Sequence, residues 1–466
     1  MLQSVARIEP LTKGKTRMQK VTKEELLAKA KKPAEDAMKL HSFYHGKMQT
    51  MPKCQVRDVN DFAIYYTPGV AEPCRAIQAN EGRFGELTNR WNTIAVVSDC
   101  TRVLGLGDIG PKAGYPVMEG KCLLFKYLGG VDAMPICLGT KDPNDVVQAV
   151  KWLEPSFAGI NLEDISYPKC FSILDRCRRE VGIPVWHDDV QGTATVMLAG
   201  LVNALKVVNK KIGDCKIVFN GAGAANTGNF RLLCAYGAKP ENSIMVDSKG
   251  ILHKGRKDLE QIKEKRADKW RFCETTNPEG KTGGLTEALE GADILISYSR
   301  SGPGVTTARQ VKRMAKDAIC FVCANPVPEI WPWEAREAGA RIVATGRSDF
   351  PNQINNSIGF PAIFRGVLDV EAKTITDEMC IVAAESLAKY AEEQGINEDY
   401  IAPTMAETEA FVREAVDVGM EAQKEGIARL KISRDALRKK SETMILSAKL
   451  QADTLVKAGC IAPAVT

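Results

Sequence analysis

The stretch KIVFNGAGAANTGNFRLLCAYGA (216–238) decides how the rest of the chain is interpreted. Its first residues, KIVFN, are typical of a buried β-strand, Gly221-Ala-Gly223 follows as a tight turn, and TGNFRLLCAYGA reads as an amphipathic helix. This order of strand, turn and helix presents backbone N–H groups and a helix N-terminus to a pyrophosphate. We therefore predict a Rossmann-type dinucleotide site at Gly221, Gly223, Ala224 and Ala225, with a simple tight turn as the alternative.

Two positions near this turn bear on the cofactor. Asn226 stands where the Gly-x-Gly-x-x-Gly pattern has a third small residue, which lets the helix pack closely on the strand, so the pattern leaves the local geometry here open. Asp247 ends the next apolar run, near the place expected for an acid that bonds a ribose hydroxyl. Asp247 favours NAD, whereas Ser248 and Lys249 could receive the 2′-phosphate of NADP, so these residues leave both cofactors open.

A second segment, Gly105-Leu-Gly107-Asp-Ile-Gly110, matches the glycine pattern literally and also follows an apolar run. Pro111, Gly114 and Pro116 come directly after it, and we expect them to interrupt any helix that would begin there. The glycine pattern alone is therefore a weak signal, and the surrounding elements favour the segment at 221 as the dinucleotide loop.

Short apolar runs alternate with longer amphipathic segments over the middle of the chain. Near-continuous apolar strands separated by helices indicate a doubly wound α/β fold with parallel sheets covered on both faces. After about residue 370 the pattern is almost purely helical, and residues 22–40 also predict a helix, capped by Thr22 and broken or kinked at Pro33. The predicted strands are TIAVVSD (93–99), DAMPICL (132–138), KIVFNGAG (216–223), SIMVDS (243–248), ADILISY (292–298), ICFVCANP (319–326) and RIVATG (341–346).

Two acidic pairs, Glu163-Asp164 and Asp188-Asp189, each follow an apolar run. Ligand sites gather where parallel strands end, and crowded carboxylates with few nearby cations favour a hard divalent ion such as Mg²⁺ or Mn²⁺. Glu163 and Asp164 can both ligate only from a turn just past the strand, because neighbouring strand residues face opposite ways. A solvated loop is the alternative for either pair alone, and we interpret His187 as packing or supporting the site.

Composition excludes several classes of protein. The 466 residues carry a net charge of only +5 with basic residues spread along the chain, so we expect no nucleic-acid partner. No uninterrupted apolar stretch approaches a membrane span, so we expect no membrane insertion. Fourteen irregularly spaced cysteines indicate free thiols in a reducing compartment, and Cys320 and Cys323 should point to opposite faces of a buried strand. We therefore expect a cytoplasmic location and interpret the basic segment 1–22 as a solvated arm. The alternative is that this segment is a transit peptide and the location an organelle matrix.

Taken together, the motifs resemble those of the malic enzymes, most closely the short prokaryotic-type members, over roughly residues 55 to 400. A resemblance of this kind implies oxidative decarboxylation of L-malate to pyruvate and CO2 with reduction of a nicotinamide dinucleotide. The blocks that carry it are YYTPGVAEPC (65–74), VVSDCTRVLGLGDIG (96–110), PVMEGKCLLFKYLGGVDAMPI (116–136), GINLEDI (159–165), HDDVQGTA (187–194), FNGAGAA (219–225), ANPVPEI (324–330) and ATGRSDFPNQINN (344–356).

The resemblance also implies roles for individual residues. Tyr66 matches the acid that protonates the enol, Lys121 the general base, and Asp188 the aspartate beside that lysine. Glu163, Asp164 and Asp189 match the three metal ligands. The amides of Asn325, Asn355 and Asn356 match groups around substrate and nicotinamide, with Asn355 on the cofactor side. Arg102 matches the arginine that binds the substrate carboxylate in the longer, animal-type enzymes.

Some features depart from the short-type pattern. Cys100-Thr101-Arg102 and Val190-Gln191 resemble the longer type, and SYSRSGPG (297–304) leaves the loop around Arg300 unassigned. DSKG (247–250) is similar to the NADP-using members, which favours NADP over NAD.

We expect a catalytic domain of residues 1–187 completed by the helical segment 356–466, a Rossmann domain of residues 188–355 between them, and a homodimer or homotetramer. The alternatives are a metal-dependent β-decarboxylating dehydrogenase of a larger 2-hydroxy acid, and a catalytically silent dinucleotide-binding protein on the same fold.

Overall fold

Two β-sheets organise the protein, whose structure is a computed structural model that describes residues 23–464. The first sheet has the order β2-β1-β3-β4 and is parallel throughout. The second has the order β10-β9-β8-β5-β6-β7, in which only the β6–β7 pair is antiparallel. The strands are β1 (Thr93–Ser98), β2 (Asp132–Cys137), β3 (Gly159–Leu162), β4 (Val185–His187), β5 (Ile217–Asn220), β6 (Ser243–Asp247), β7 (Gly250–Ile251), β8 (Ile294–Ser297), β9 (Ala318–Val322) and β10 (Ala340–Ala344).

Helices connect the strands and form the C-terminal part of the chain. The prediction of a doubly wound α/β fold with a helical C-terminal segment is thereby confirmed, and each of the seven predicted strands is present. The helices are α1 (Lys23–Tyr44), α2 (Phe62–Tyr65), α3 (Ala71–Ala79), α4 (Phe84–Leu87), α5 (Gly110–Gly129), α6 (Pro143–Leu153), α7 (Lys169–Glu180), α8 (Thr193–Val207), α9 (Ala224–Tyr236), α10 (Leu259–Lys265), α11 (Ala267–Thr275), α12 (Leu285–Ala288), α13 (Ala308–Val311), α14 (Pro332–Glu337), α15 (Phe360–Asp369), α16 (Asp377–Gln394), α17 (Thr408–Lys424) and α18 (Arg434–Lys457).

The prediction that prolines would interrupt a helix after Gly110 was wrong, and Pro33 does not end the first helix. Helix α5 begins at Gly110 and continues through Pro116, although we expected the glycine and prolines to interrupt it. Pro111 lies in the first turn, where a backbone N–H has no partner within the helix, and the rest of α5 is held by tertiary packing. Helix α1 likewise continues through Pro33. The predicted cap Thr22 and the basic segment 1–22 lie outside the described residues.

The strands of the second sheet are buried on both faces, as the apolar runs predicted. Cys320 packs in the apolar cluster on one side of β9, whereas Cys323 packs with Phe321 in the cluster on the other side. The expectation that the two sulfurs face opposite ways is confirmed.

The C-terminal helices pack against the helix that covers the first sheet. A Cβ atom on Gly129 of α5 would lie 2.5 Å from the carbonyl oxygen of Pro361 in α15. A Cβ on Gly130 would lie 2.6 Å from the carbonyl oxygen of Met444 in α18, and Gly130 has a φ of 64°. Glycine at these two positions therefore permits close contact between the first sheet unit and the chain after residue 356. The proposed domain boundaries remain a prediction.

One helical stretch in the described chain, Asp188–Val207, has the length and apolar composition that crossing a membrane requires. In the protein 78% of this stretch is buried, which is typical of a core helix. It packs against α16 and α9, and its first residues carry one of the acidic pairs.

Candidate active site

The acidic residues lie at the point in the first sheet where the order of the strands reverses, between β1 and β3. Strand β1 is paired with β2 on one side and with β3 on the other, so the loops that leave the ends of β1 and β3 diverge and leave a crevice between them. The two loops are joined at the crevice by a hydrogen bond of 3.0 Å from the backbone N–H of Arg102 to the carbonyl oxygen of Asp164. The parallel topology thus brings the segments 99–102 and 163–164 together.

Three carboxylates meet at this crevice. Oxygen atoms of Glu163, Asp164 and Asp189 all lie within 4.8 Å of one another. Glu163 and Asp164 follow directly after β3, and the backbone of Asp164 is left-handed, with a φ of 52°. This turn places both side chains toward Asp189, whose Oδ2 accepts a hydrogen bond of 2.9 Å from the Asp164 N–H. The geometry is the one that the strand argument required for joint ligation.

The electrostatics of this cluster fit a divalent cation. Burial raises the pKa of Asp164 to about 8, and the nearby charge of Asp189 acts in the same direction. Burial also raises the pKa of Glu163 well above its ordinary value. Oδ2 of Asp164 is buried and has no hydrogen-bond partner among the described residues. Crowded, buried carboxylates with an unpaired oxygen form a hard oxygen-donor set that suits Mg²⁺ or Mn²⁺.

Lys121 joins this cluster from helix α5. Its Nζ lies 2.6 Å from Oδ2 of Asp188 and 3.0 Å from Oε1 of Glu163, and the side chain is 8% exposed. Burial alone would lower the pKa of Lys121, but the charges of Asp188 and Glu163 outweigh it and raise the pKa above its ordinary value. The ammonium also lies 4.3 Å from the centre of the Phe360 ring. Lys121 is therefore held in one place by two carboxylates and an aromatic face.

Asp188 is fixed by its own surroundings. Trp186 Nε1 donates a hydrogen bond of 3.1 Å to Asp188 Oδ1, and Asp188 is fully buried. A Cβ atom on Gly192 would lie 2.0 Å from the same oxygen, so only glycine leaves room for this carboxylate. Asn356 approaches the same place, with its Cβ 3.4 Å from that position. His187 is buried, burial lowers its pKa to about 4, and its Nδ1 lies 3.7 Å from Asp189.

The remaining predicted catalytic and substrate residues surround the cluster at different depths. Arg102 is exposed at the crevice, and its charge is close enough to oppose the burial that raises the Asp189 pKa. Asn325 is exposed on a loop whose carbonyl approaches Gly105, where a Cβ would lie 2.7 Å away. Tyr66 is 72% exposed at the end of α2, and no hydrogen bond links it to Lys121 within residues 23–464. The single chain thus assembles the lysine and the carboxylates but leaves Tyr66 outside.

The glycine turn lies at the point in the second sheet where the order of the strands reverses, between β5 and β8. Gly221 has a φ of 103°, and a Cβ there would lie 2.4 Å from the carbonyl oxygen of Tyr298 at the end of β8. A Cβ on Gly223 would meet nothing within 4 Å, which leaves open space in front of the α9 N-terminus. Ala224 and Ala225 form the first turn of α9, whose amides have no partner within the helix. This arrangement leaves the amides directed at the crevice that a pyrophosphate would occupy.

Asn226 takes a role that the sequence pattern did not predict. It is fully buried, and its Nδ2 donates to the carbonyl oxygens of Asn220, Gly221 and Ile296, at distances between 2.8 and 3.3 Å. The amide therefore ties the turn to β5 and β8. A close approach occurs two residues further on, at Gly228, where a Cβ would lie 2.3 Å from the Val190 carbonyl oxygen.

The carboxylate of Asp247 already forms hydrogen bonds with two cationic side chains. Its carboxylate accepts hydrogen bonds from Lys269 Nζ (2.6 Å), Arg256 Nη1 (2.9 Å) and the Lys249 N–H (2.9 Å). Burial would raise the pKa of Asp247, but these bonds outweigh it and lower the pKa. Ser248 and Lys249 are exposed beside it. Asn355, the other predicted cofactor residue, donates to the Gly346 carbonyl oxygen at 3.1 Å.

Sequence reasoning missed three residues that complete these sites. Trp186 holds Asp188, Asn161 donates to Glu163 at 2.9 Å, and the buried Thr227 hydroxyl next to the turn has no partner in the described chain. Trp186 and Asn161 each lie two positions before the carboxylate they contact. Strand residues two apart face the same side, so this spacing could have identified both.

Two family models and several known proteins match most of the chain. The family model of the malic enzyme N-terminal domain matches residues 45–178, and that of the malic enzyme NAD binding domain matches residues 190–423. The chain is 47% identical over 384 residues to the NAD-dependent malic enzyme of Geobacillus stearothermophilus, covering 82% of this chain and 78% of that protein. It is 40% identical over 399 residues to the NADP-dependent malic enzyme of Halomonas elongata, covering 82% and 92%.

A solved structure is also similar over nearly the whole chain. The crystal structure of Entamoeba histolytica malic enzyme superposes with a TM-score of 0.91 at 49% identity, covering 96% of this chain and 93% of that one. The two family models together match most of the chain, these relatives are similar over most of its length, and the chain belongs to the malic enzyme family.

Proposed function

We propose that this chain oxidises and decarboxylates L-malate to pyruvate and CO2 in the crevice at Lys121, with reduction of NADP. The observation that carries the assignment of roles is the buried Lys121 ammonium, 2.6 Å from Asp188 and 3.0 Å from Glu163, beside three converging carboxylates. A base placed next to a divalent-cation site is the pair that removal of a proton from an alcohol requires.

Glu163, Asp164 and Asp189 would hold Mg²⁺ or Mn²⁺. When bound, such an ion supplies Lewis-acid stabilisation of charge on the substrate oxygen, and the nicotinamide accepts the hydride from C2. Lys121 takes the proton of the C2 hydroxyl, and Asp188 keeps its Nζ in position. To act as a base Lys121 must first be neutral, and its pKa falls when positive charge beside Glu163 offsets the pull of that carboxylate.

Arg102, Asn325 and Asn356 would bind the substrate. The exposed guanidinium of Arg102 is anchored through its backbone to the Asp164 turn, so it can present paired N–H donors to a malate carboxylate next to the carboxylate cluster. Tyr66 would donate the proton to C3 of the enol after CO2 has left.

The segment around Tyr66 supports a homodimer or homotetramer. Val59, Phe62 and Ile64 are 77%, 53% and 59% exposed, and apolar side chains grouped in this way favour burial against another surface. Light scattering after size-exclusion chromatography tests this part, and a monomer at micromolar concentration would contradict it.

NADP is favoured over NAD by the environment of Asp247. Lys249, Arg256 and Lys269 already bind its two oxygens, so this carboxylate is less able to select a ribose hydroxyl, while exposed Ser248 and Lys249 can meet a 2′-phosphate. The relatives named above include both NAD- and NADP-dependent enzymes.

The initial rate of cofactor reduction from L-malate and Mn²⁺, measured with NADP and with NAD, tests the proposal. Lys121→Ala should lower kcat by about 10²- to 10⁴-fold, the usual contribution of a general base. Lys126→Ala, in the same helix but paired with Asp132 near the surface, is the matched control and should keep its activity. Turnover of another 2-hydroxy acid but not malate, or cofactor binding without turnover, would contradict the assignment.

A further inference from the structure

Two cysteines lie in contact at the edge of the substrate crevice. Cys137 is the last residue of β2, and Cys100 follows β1 by two residues; the strands are paired so that Ser98 lies opposite Cys137. The two sulfur atoms are 3.8 Å apart. A disulfide requires about 2.05 Å between sulfurs, so the pair must approach by only about 1.8 Å. This approach draws Cys100, and the loop that carries it, toward β2.

The surroundings leave the pair reduced but reactive. The hydrogen-bond contact with Cys137 lowers the pKa of Cys100 to about 7, against the opposing effect of burial. A lowered pKa favours the thiolate, which is the nucleophilic form of a cysteine. Cys100 is fully buried, whereas Cys137 is half-buried on β2, which is an edge strand. A small oxidant can reach the pair from the side of β2.

The backbone at Cys100 links the pair to the proposed substrate and metal residues. Cys100 has a φ of 54°, and its N–H donates to Ser98 Oγ at 2.9 Å. Gly114 of α5 packs so closely that a Cβ there would lie 2.4 Å from the Cys100 sulfur. Two residues after Cys100, the backbone N–H of Arg102 donates a hydrogen bond to the carbonyl oxygen of Asp164. Because the loop is packed on one side and bonded on the other, movement of Cys100 toward Cys137 must displace Arg102 or Asp164.

We propose that Cys100 and Cys137 are a reversible modification site, which hydrogen peroxide converts to a disulfide that weakens malate binding. The second half of this statement rests on the proposed role of Arg102. The thiolate attacks one peroxide oxygen and hydroxide leaves, which gives a sulfenic acid. The other thiol attacks that sulfur, the S–S bond forms and water leaves. Overall two thiols lose two electrons and two protons, and one peroxide becomes two water molecules.

Peptide mapping tests the disulfide without reference to activity. The reduced full-length protein is treated with hydrogen peroxide, alkylated and digested under non-reducing conditions. The expected product is a peptide pair linked through Cys100 and Cys137 that disappears after dithiothreitol. Oxidation confined to the exposed Cys54, Cys74 and Cys460, with the pair still alkylated, would overturn the proposal.

Kinetics test the consequence. In the wild type, peroxide should raise the KM for malate at least fivefold with a smaller effect on kcat, and dithiothreitol should restore it. Cys137→Ser should keep its basal activity and lose this response, whereas the matched control Cys54→Ser should keep the response. Equal inactivation of Cys137→Ser and wild type would refute the link to malate binding. If Cys137→Ser does not fold, the linked peptide in the wild type still decides the site. A linked peptide in a protein that does not turn over malate would contradict the proposed function and leave the disulfide standing.

Discussion

Replacing each glycine of the dinucleotide turn separates what the turn does for the fold from what it does for the cofactor. Gly221→Ala places a methyl group 2.4 Å from the Tyr298 carbonyl oxygen, at a backbone φ of 103°. Gly223→Ala places the same group in open space, with a φ of −103° that any residue adopts. The two variants therefore differ in their effect on the free protein, although the chemical change is identical.

The expected magnitudes follow from these distances. A side chain at a left-handed φ costs roughly 1–2 kcal/mol. Forcing a methyl group into a filled space costs about 1–3 kcal/mol more. Gly221→Ala should thus reduce the free energy of unfolding of this region by about 2–5 kcal/mol, and Gly223→Ala should leave it within about 1 kcal/mol of the wild type.

Binding of the cofactor should respond in both variants. The alanine at 221 displaces the turn, and the alanine at 223 stands between the α9 amides and the pyrophosphate. Loss of one charge-assisted hydrogen bond, about 1.5–3 kcal/mol, corresponds to a loss of affinity of roughly 10- to 100-fold. Thermal unfolding of the free protein and fluorescence titration with NADPH measure the two effects. Equal loss of thermal stability in both variants would refute the steric argument, and tight NADPH binding by Gly223→Ala would refute the pyrophosphate site.

Three further changes test the remaining parts of both sites. In the wild type, Mn²⁺ should raise the Tm and EDTA should reverse the increase. Asp164→Asn should need at least a tenfold higher Mn²⁺ concentration for the same increase in Tm. An unchanged titration would contradict the role of Asp164 as a metal ligand. Asp247→Asn should destabilise the protein at neutral pH by about 1–3 kcal/mol because charge-assisted bonds from Lys269 and Arg256 are lost. Because folding lowers the pKa of Asp247, its contribution to stability is fully present above the ordinary pKa of about 4 and disappears as the pH falls through the folded value. The difference in urea unfolding between the variant and the wild type should therefore vanish in strong acid. A difference that persists there would refute the ionic explanation. Asn226→Ala should cost about 1–3 kcal/mol and weaken NADPH binding, since three carbonyl oxygens lose a buried donor, and wild-type values in both assays would show that water replaces the amide.

Local chemistry was sufficient to predict the strands and the cofactor turn. Strands buried on both faces are nearly continuous in apolar residues, so runs such as 217–219 and 294–296 were recognisable without knowledge of their neighbours. The turn at 221 was recognisable because a positive φ and a close approach both demand glycine. Helix α5 was not predicted to begin at Gly110, because much of the packing that stabilises it despite Pro116 comes from α15 and α18, more than two hundred residues later in the chain.

The sequence by itself determined that two sets of carboxylates would lie at strand ends, since each pair directly follows an apolar run and parallel strands end at a common edge. Only the tertiary structure decided which of them meet. The strand order places the ends of β1 and β3 side by side, Lys121 arrives from a helix, and Trp186 and Gly192 hold Asp188 against it. The contact between Cys100 and Cys137 likewise depends on the pairing of β1 with β2. Periodicity records which face a residue takes, whereas sheet order and helix packing depend on contacts between distant segments, which no local pattern contains.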